Sequence, residues 1–279
     1  MTDPAEFRLM TVHGEAARVP TSGGSVIFSK LGGGSSRITA LAPSVKFVLQ
    51  GEEIYAVGGR THRLAAGDFM LVEAGTEVTV KTGPGGETLG LCVYLPARER
   101  PLPTVDAPTN PVVRGSAVDP FAALLKRYAS ALVRKSAPSP RLIDLLCREA
   151  SAGSDAFLQR FDANRNRLSH ARPAARAEIL QRLERARALI HANVHRPVTL
   201  EELSREAALS RFHLVRTFSE VYGRPPLSYH RRLRLEDAAS LLRLGALSPT
   251  QVAEKLGYAN LSGFTRAFRS EFGVPPSRL

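Results

Sequence analysis

The sequence of 279 residues is poor in the residue types that mark several other classes of protein. It has no tryptophan and two cysteines, Cys92 and Cys147, which lie far apart and form neither a CxxC pair nor a zinc-ligand spacing. We therefore expect reduced thiols and a cytoplasmic location. No apolar run approaches eighteen residues, and the first residues lack the basic and apolar regions of a secretory signal, so no membrane partner is expected.

Positive charge is scarce at the start of the chain and abundant at its end. The net charge is −1 over residues 1–110, +5 over 111–170 and +8 over 171–279, within a formal total of +12. Of the 18 basic residues in the last range, 17 are arginine, whose guanidinium can form two parallel bonds to phosphate or guanine. This pattern indicates an anionic polymer bound by one half of the chain. An arginine-rich composition of the whole genome is the alternative explanation.

The first third of the chain has the pattern of β-strands. Short apolar runs separated by glycine-rich turns occupy residues 20–96 and predict a small antiparallel barrel or sandwich. The predicted strands include residues 45–49, 69–72, 78–80 and 89–95. A proline-rich linker is expected at 96–111.

The remainder of the chain has helical periodicity, so the predicted fold class is α+β. Apolar residues recur at helical spacing over 121–132 and 142–146, and a polar interdomain loop is expected at 164–173. An amphipathic helix over 179–194 is expected to end before Pro197.

Two helix-turn-helix patterns follow one another at residues 199–218 and 248–268. Thr199 with Glu202, and Ser248 with Gln251, have the spacing of capping boxes that begin the first helix of each pattern. Ser210 is expected to cap the first recognition helix. A connecting helix of about 18 residues, at about 1.5 Å each, would span roughly 27 Å. With its flanking turns it approaches the ~34 Å between successive major-groove faces on one side of B-DNA.

Each predicted recognition helix has one apolar face and one exposed face. Leu214 and Phe218 in the first helix, and Phe264 and Phe268 in the second, are spaced to point inward. The predicted DNA-binding residues on the exposed faces are Arg211, Phe212, Val215, Arg216, Leu261, Ser262, Gly263 and Arg266.

Residues 188–279 resemble the AraC/XylS-type transcriptional regulators. The resemblance follows Ser210-x3-Leu214-x-Arg216-x-Phe218, Gly223-x-Pro225-Pro226, Gly257-Tyr258-x5-Phe264-x-Arg266-x-Phe268 and Gly273-x-Pro275-Pro276. It implies two recognition helices in adjacent major grooves. Arg216 and Arg266 are expected to contact guanine, with a phosphate or structural role as the alternative. Phe212 is expected to contact a thymine methyl group, with covering of the core as the alternative.

The first part of the chain resembles the cupin-type sensor domain of such regulators. The resemblance lies in Pro43–Gly51 and in Gly58–Val72, around the Leu64-x2-Gly67-Asp68 turn. An effector pocket is expected to contain Phe47, His62, Met70 and Val72, although any barrel core would contain such residues. His62 is the lone histidine of this segment, so neither a metal site nor another cofactor is expected; His62 with Glu77 as a metal pair is the weaker alternative to a surface histidine and a solvated glutamate.

The resemblances together predict three parts: 1–110, a sensor barrel and linker; 111–170, accessory or dimerisation helices; and 171–279, the DNA-binding domain. The expected function is a sequence-specific regulator of transcription, not an enzyme, which binds double-stranded promoter DNA and a small-molecule effector. A homodimer is expected, with RNA polymerase as a further partner if the protein is an activator. Two alternatives remain open: a cupin metalloenzyme with a DNA-binding tail, and a regulator whose barrel only dimerises.

Overall fold

The computed structural model describes residues 6–10, 24–83, 86–96, 102, 112–134, 138–245 and 247–279. The chain consists of two compact units, Met1–Gln181 and Arg182–Leu279. The first contains all of the described strands, and the second is helical. The predicted α+β fold class, with a β-rich first part and a helical last part, is confirmed.

The strands of the first unit form two sheets. Their bounds are β1 Glu6–Met10, β2 Ser25–Leu31, β3 Ser35–Ala40, β4 Ser44–Gln50, β5 Glu52–Val57, β6 Arg60–Ala65, β7 Phe69–Val72, β8 Thr76–Thr82, β9 Thr88–Tyr94 and β10 Val112–Gly115. The sheets have the orders β1-β2-β9-β4-β7-β10 and β3-β8-β5-β6. Every pairing is antiparallel except that of β1 with β2. Apolar side chains of both sheets form one buried cluster, so the core lies between the sheets.

Strand β10 lies in a region that the sequence pattern assigned to helices. It pairs with β7 and buries Val112 and Val113 completely. Gly115, opposite Phe69, is required because an added Cβ would overlap the Phe69 ring. The prediction failed here because Val112 and Val113 are the only apolar strand formers of this segment before Arg114 and Gly115, which leaves no alternation to read. Most of the predicted linker at 96–111 lies outside the described residues.

Two helices complete the first unit, α1 at Pro120–Val133 and α2 at Pro140–Arg167. The Phe69 ring packs edge-on against Phe121 of α1 and Phe157 of α2, with centroids 5.1 and 4.9 Å away. The predicted loop at 164–173 is wrong at its start, because α2 continues to Arg167. Its last turns are polar yet helical, and an Asp162–Arg165 ion pair of 3.0 Å supports them.

The helical unit follows, and its first helix begins within the range of the first unit. The helices are α3 Pro173–Ala192, α4 Leu200–Ala207, α5 Arg211–Tyr222, α6 Pro226–Arg243, α7 Pro249–Lys255 and α8 Leu261–Phe272, with a final 3-10 turn at Pro276–Arg278. Among the helices of the described ranges, none combines the length and apolar character that crossing a membrane requires.

Candidate nucleic-acid interface and barrel cavity

The first helix-turn-helix unit consists of α4 and α5, and side-chain caps define both helix starts. Thr199 and Glu202 form both bonds of a capping box, with Thr199 N–H donating to Glu202 Oε2 at 2.7 Å. Ser210 accepts from the His213 N–H at 3.3 Å and so begins α5. The predicted caps are confirmed, and they fix the turn between the helices because each satisfies a backbone donor that the helix leaves free.

Ala208, in the turn after α4, has a left-handed backbone with φ of 51°. Arg182 donates to its carbonyl at 3.1 Å, and Ser204 Oγ donates to the Leu209 carbonyl. These bonds hold the turn although the Cβ of a left-handed residue crowds the neighbouring carbonyl.

Replacing Ala208 with glycine is expected to stabilise the protein by about 0.5–1 kcal/mol. The left-handed conformation costs an L-residue about 1–2 kcal/mol, and glycine avoids this cost. Glycine also makes the unfolded chain more flexible, which offsets about 0.4–1 kcal/mol of the gain. Urea unfolding measures the change. Ala188→Gly, inside α3, is the control and should destabilise by about 1 kcal/mol; equal effects of the two variants would contradict the strain at Ala208.

Helix α5 presents its predicted binding residues on one face. Leu214 and Phe218 are fully buried, as predicted, while 78% of Phe212 is exposed. Arg211 and Arg216 are exposed and Val215 is half-buried beside them. The two arginines form ion pairs with Glu201 at 3.5 Å and Glu220 at 3.3 Å. The Arg211–Glu201 pair is exposed on both sides and contributes little, so an anionic ligand can replace Glu201, whereas the Glu220 side chain of the other pair is only 20% exposed.

The second unit consists of α7 and α8. Ser248 and Gln251 form the predicted capping box, and the Asn260 side chain caps α8 by accepting from the Gly263 N–H at 2.8 Å. The sequence prediction missed Asn260, although an Asn just before an apolar periodic stretch is a usual cap. Phe264 and Phe268 are fully buried, as predicted. Leu261, Ser262 and Arg266 are exposed and Gly263 is half-buried, all within the first two turns of α8.

Helix α6 is shared by the cores of both units. Near its start, Tyr229 packs edge-on against Phe218 with centroids 5.5 Å apart. In its second half, Leu235, Ala238 and Ala239 belong to the buried cluster that contains Phe264 and Phe268. A helix anchored in two cores cannot pivot freely between them, so it sets the spacing of α5 and α8.

Glu271, near the end of α8, adds a polar link from the second helix-turn-helix unit to α6 and to a residue that precedes it. Its Oε1 accepts from Arg224, before α6, at 3.0 Å and from Arg232, within α6, at 3.2 Å. The glutamate side chain is 18% exposed, which strengthens both bonds relative to a fully solvated pair. The orientation of α8 relative to α6 is therefore held by packing and by charge.

Helix α3 is bound to the first helix-turn-helix unit and to the start of α6 by a part-buried polar network. Glu184 accepts from Tyr222 at 2.8 Å and from Arg187 at 2.9 and 2.7 Å, and His191 lies 3.0 Å from the Tyr229 hydroxyl. Burial, with a smaller contribution from Arg187, lowers the pKa of His191 to about 4. The histidine is therefore neutral at physiological pH, and its tautomer decides whether Nε2 donates to the Tyr229 hydroxyl or accepts from it.

In the first unit, a cavity lies between the two sheets. Its empty volume is about 600 Å³, a figure that includes space open to solvent. Its lining residues are Met10, Ile27, Ser29, Leu31, Ile38, Lys46, Glu53, Tyr55, Val78, Val80, Cys92 and Tyr94.

None of the four predicted pocket residues, Phe47, His62, Met70 and Val72, lines this cavity. Phe47 pairs with Phe69 across strands and shares the face on which the helices pack, whereas Lys46 points into the cavity. Met70 and Val72 face the interior but are completely buried in its apolar cluster. Met70 and Val72 are thus interior positions of the barrel as predicted, whereas Phe47 is not, and this cavity lies elsewhere between the sheets because packing across the two sheets decides where space remains.

His62 is 7% exposed and its Nε2 has no hydrogen-bond partner, so the expectation of a surface histidine is wrong. Burial, aided by Arg114 and Arg60, lowers its pKa to about 4. Glu77 is exposed and pairs with Arg37 at 3.6 Å. In the described part of the chain, no three His, Cys, Asp or Glu side chains come together as a metal site.

Two charged residues of the cavity are almost completely buried. Glu53 is 2% exposed and accepts from the Tyr55 hydroxyl and from Thr88 Oγ1 at 3.2 Å. Burial raises the pKa of Glu53 against these bonds. Lys46 is 5% exposed and donates to Cys92 Sγ at 2.7 Å. Burial lowers the pKa of Lys46, whereas the charges and hydrogen bonds of Cys92 and Tyr94 raise it, and the net shift of the pKa is upward.

One of these residues is indicated by the sequence itself, since Lys46 lies inside the apolar run Val45–Leu49. A lysine there must be buried or must interrupt the strand, and buried lysines are rare. Glu53, Tyr55, Cys92 and Tyr94 have no such local indication, because the pairing of strands distant in the sequence brings them to the cavity; Lys46 and Cys92, for example, are 46 residues apart.

These features define the class of the chain: a helix-turn-helix protein with two recognition helices and a cavity-containing β-domain. Residues 203–279 match a family model described as a helix-turn-helix domain. Residues 44–205 match one described as an AraC-like ligand binding domain. The chain belongs to the AraC family of transcriptional regulators.

Relatives of the chain are regulators of the same type. The HTH-type transcriptional regulator GbdR of Pseudomonas aeruginosa is 30% identical over 149 residues, 50% of this chain and 40% of the relative. The HTH-type transcriptional regulator AlkR of Acinetobacter baylyi is 34% identical over 94 residues, 34% of this chain and 31% of the relative. The chain thus covers less than half of either relative.

One solved structure, of a probable AraC family transcriptional regulator from Rhodopseudomonas palustris CGA009, is 32% identical. The match covers 35% of this chain and 93% of that chain, with a TM-score of 0.33.

Proposed function

We propose that this chain is a sequence-specific DNA-binding regulator of transcription whose β-domain binds a small-molecule effector. The observation that supports the proposal most strongly is α6, anchored in the cores of two capped helix-turn-helix units. A shared rigid helix gives two recognition helices one fixed spacing, which suits a repeating groove and has little use on a small ligand.

The exposed residues of α5 and α8 are proposed to face DNA. Arg216 and Arg266 contact guanine through their guanidinium groups, and Phe212 contacts a thymine methyl group. Arg211 and Ser262 bind phosphate, whereas Val215, Leu261 and Gly263 allow close approach to the groove. Phe212 supports this role, because a phenylalanine that is 78% exposed has no use in the core of the unit.

The partners and boundaries of the protein are proposed with the function. Promoter DNA binds the helical unit, taken as 171–279, and the effector binds the barrel of 1–110. The helices of 111–170 connect the two and provide the surface of a homodimer. RNA polymerase is a partner if binding activates transcription. The effector acts only if it binds one arrangement of the protein more tightly than another.

Salt dependence of DNA affinity tests the proposal. The logarithm of the binding constant is expected to fall linearly with the logarithm of salt concentration, by about 0.9 for each phosphate neutralised. Gel-shift titrations between 50 and about 200 mM salt measure the slope with the full chain. A flat slope on every duplex would contradict phosphate neutralisation by the helical unit.

A further inference from the structure

Two arginines of α3 bind the turn that precedes α5, the first recognition helix. Arg182 Nη1 donates to the Ala208 carbonyl at 3.1 Å, and Arg185 Nη2 donates to the Ala207 carbonyl at 3.4 Å. Ala207 ends α4, and Ala208 lies in the turn that leads to α5. The last carbonyls of a helix have no partner within it, so a cationic donor from a neighbouring helix satisfies them and interacts favourably with the helix dipole. The direction in which the chain leaves α4 is therefore held from outside the helix-turn-helix unit.

The same helix holds the other end of α5. Glu184 Oε1 accepts from the hydroxyl of Tyr222, the last residue of α5, at 2.8 Å. Arg187 pairs with Glu184 at 2.7 Å, and its guanidinium lies 5.6 Å from the centre of the Tyr222 ring. The side chains of Arg187 and Glu184 are 18% and 17% exposed, so water weakens this pair less than a pair at the surface. Helix α3 thus supports α5 at both of its ends.

The second recognition helix, α8, is anchored to a different element. Its Phe264 and Phe268 share a buried cluster with residues of α6, and Glu271 accepts from Arg232 of α6. Helix α6 contributes to both helix-turn-helix units, whereas the bonds from Arg182, Arg185 and Glu184 described above end on the first. A recognition helix must be held to within about 0.5 Å of its productive position for its side chains to reach base edges. Loss of the bonds from α3 to the turn is therefore expected to displace α5 and to leave α8 in place.

We propose that Arg182 and Arg185 are positioning residues for the reading of DNA by α5. Through the carbonyls of Ala207 and Ala208 they hold α5 at the angle at which it enters the major groove, and they do so for α5 and not for α8. They act through the backbone of the turn and contact no base themselves. This inference rests on the proposed function, because it names the residues that orient one of the two recognition helices.

The double variant Arg182→Ala/Arg185→Ala, made in the full chain, tests this inference. The probes are a selected DNA site and the same site with one half-site, the other half-site or both scrambled. Discrimination at a half-site is the Kd of the duplex in which it is scrambled, divided by the Kd of the selected site. Discrimination at the half-site read by α5 is expected to fall about tenfold with the loss of two charge-assisted bonds, and discrimination at the other to change by less than about twofold. A loss of folding stability alone would weaken binding to every duplex equally and leave both ratios unchanged.

Arg176→Ala is the matched control. Arg176 belongs to the same helix and also donates to two carbonyls, those of Ala171 at 3.0 Å and Ser169 at 3.4 Å. Its removal takes away the same charge and the same kind of bond, and both ratios should stay unchanged. Arg182→Lys keeps the charge and a donor, so it should retain part of the discrimination that Arg182→Ala loses. Should the double variant fail to fold, Arg182→Ala alone removes an exposed bond and is expected to show the same pattern with a fall of about threefold.

Phe212→Ala and Arg216→Ala, both within α5, identify the half-site that this helix reads. An equal loss of discrimination at both half-sites, a loss confined to the half-site of α8, or unchanged ratios in the double variant overturns the inference. If the unaltered chain discriminates at both half-sites and the double variant does so equally well, only this inference fails. An unaltered chain that prefers no duplex contradicts the proposed function and, with it, the inference.

Discussion

Arg216→Ala is expected to weaken binding to a selected DNA site by about 1–3 kcal/mol, roughly 5- to 150-fold at 25 °C. The reason is the loss of two parallel bonds to one guanine from a helix whose register the Ser210 cap and the buried Leu214 and Phe218 define. The loss should fall on one base pair: the variant should bind the original site and a site with that guanine replaced almost equally. Fluorescence anisotropy on the two duplexes measures this.

A charge-matched control separates base reading from general attraction. Arg148→Ala removes one positive charge from α2, where the side chain is 68% exposed and pairs with Asp144. It should change the affinity for every duplex by less than twofold. If Arg216→Ala weakens all sequences to the same degree, Arg216 binds phosphate and the guanine assignment is wrong.

Glu271→Ala is expected to weaken binding about tenfold, equivalent to ~1.4 kcal/mol, and to broaden the tolerance for spacing between the two half-sites. Without the carboxylate, Arg224 and Arg232 lose their common partner and α8 loses a polar anchor to α6. Because these arginines are partly exposed, the effect is smaller than for a fully buried pair. Affinities for duplexes whose half-sites are moved apart by single base pairs measure the tolerance.

Two variants accompany this measurement. Glu254→Ala removes an exposed carboxylate of α7 and should leave the spacing preference unchanged. Glu271→Gln keeps an oxygen acceptor but not the charge, so it should fall between the original protein and Glu271→Ala. A sharp spacing preference in Glu271→Ala would show that packing around α6 alone fixes the distance between the recognition helices α5 and α8.

The helical unit was predictable in detail because its determinants are local. Thr199 with Glu202, Ser248 with Gln251, and Ser210 each lie within three residues of the backbone donor that they satisfy. The inward positions of Phe264 and Phe268 follow from helical spacing in the same way. The Glu271 link was not predictable, since Arg224 lies 47 residues away and no spacing rule relates the two.

The sequence predicts that the first part of the chain is a β-domain, but it does not predict which interior residues meet or line a cavity. Short apolar runs separated by glycine-rich turns indicate strands, but the order of the strands in the sheets decides which interior residues meet. Met70 and Val72 face inward as predicted and become core, whereas Lys46 and Cys92 meet at the cavity through the pairing of β4 with β9. The effector residues named from the sequence therefore differ from those that line the observed space.

The account depends on two recognition helices that α6 places at one spacing on a single protomer. Footprinting of a selected promoter site by the full chain, at protein concentrations where a single protomer binds, tests this directly. Protection of two successive major-groove faces, about 34 Å apart on one side of the duplex, is the result expected for each protomer. Protection confined to a single turn per protomer, or none on any sequence, would contradict the account.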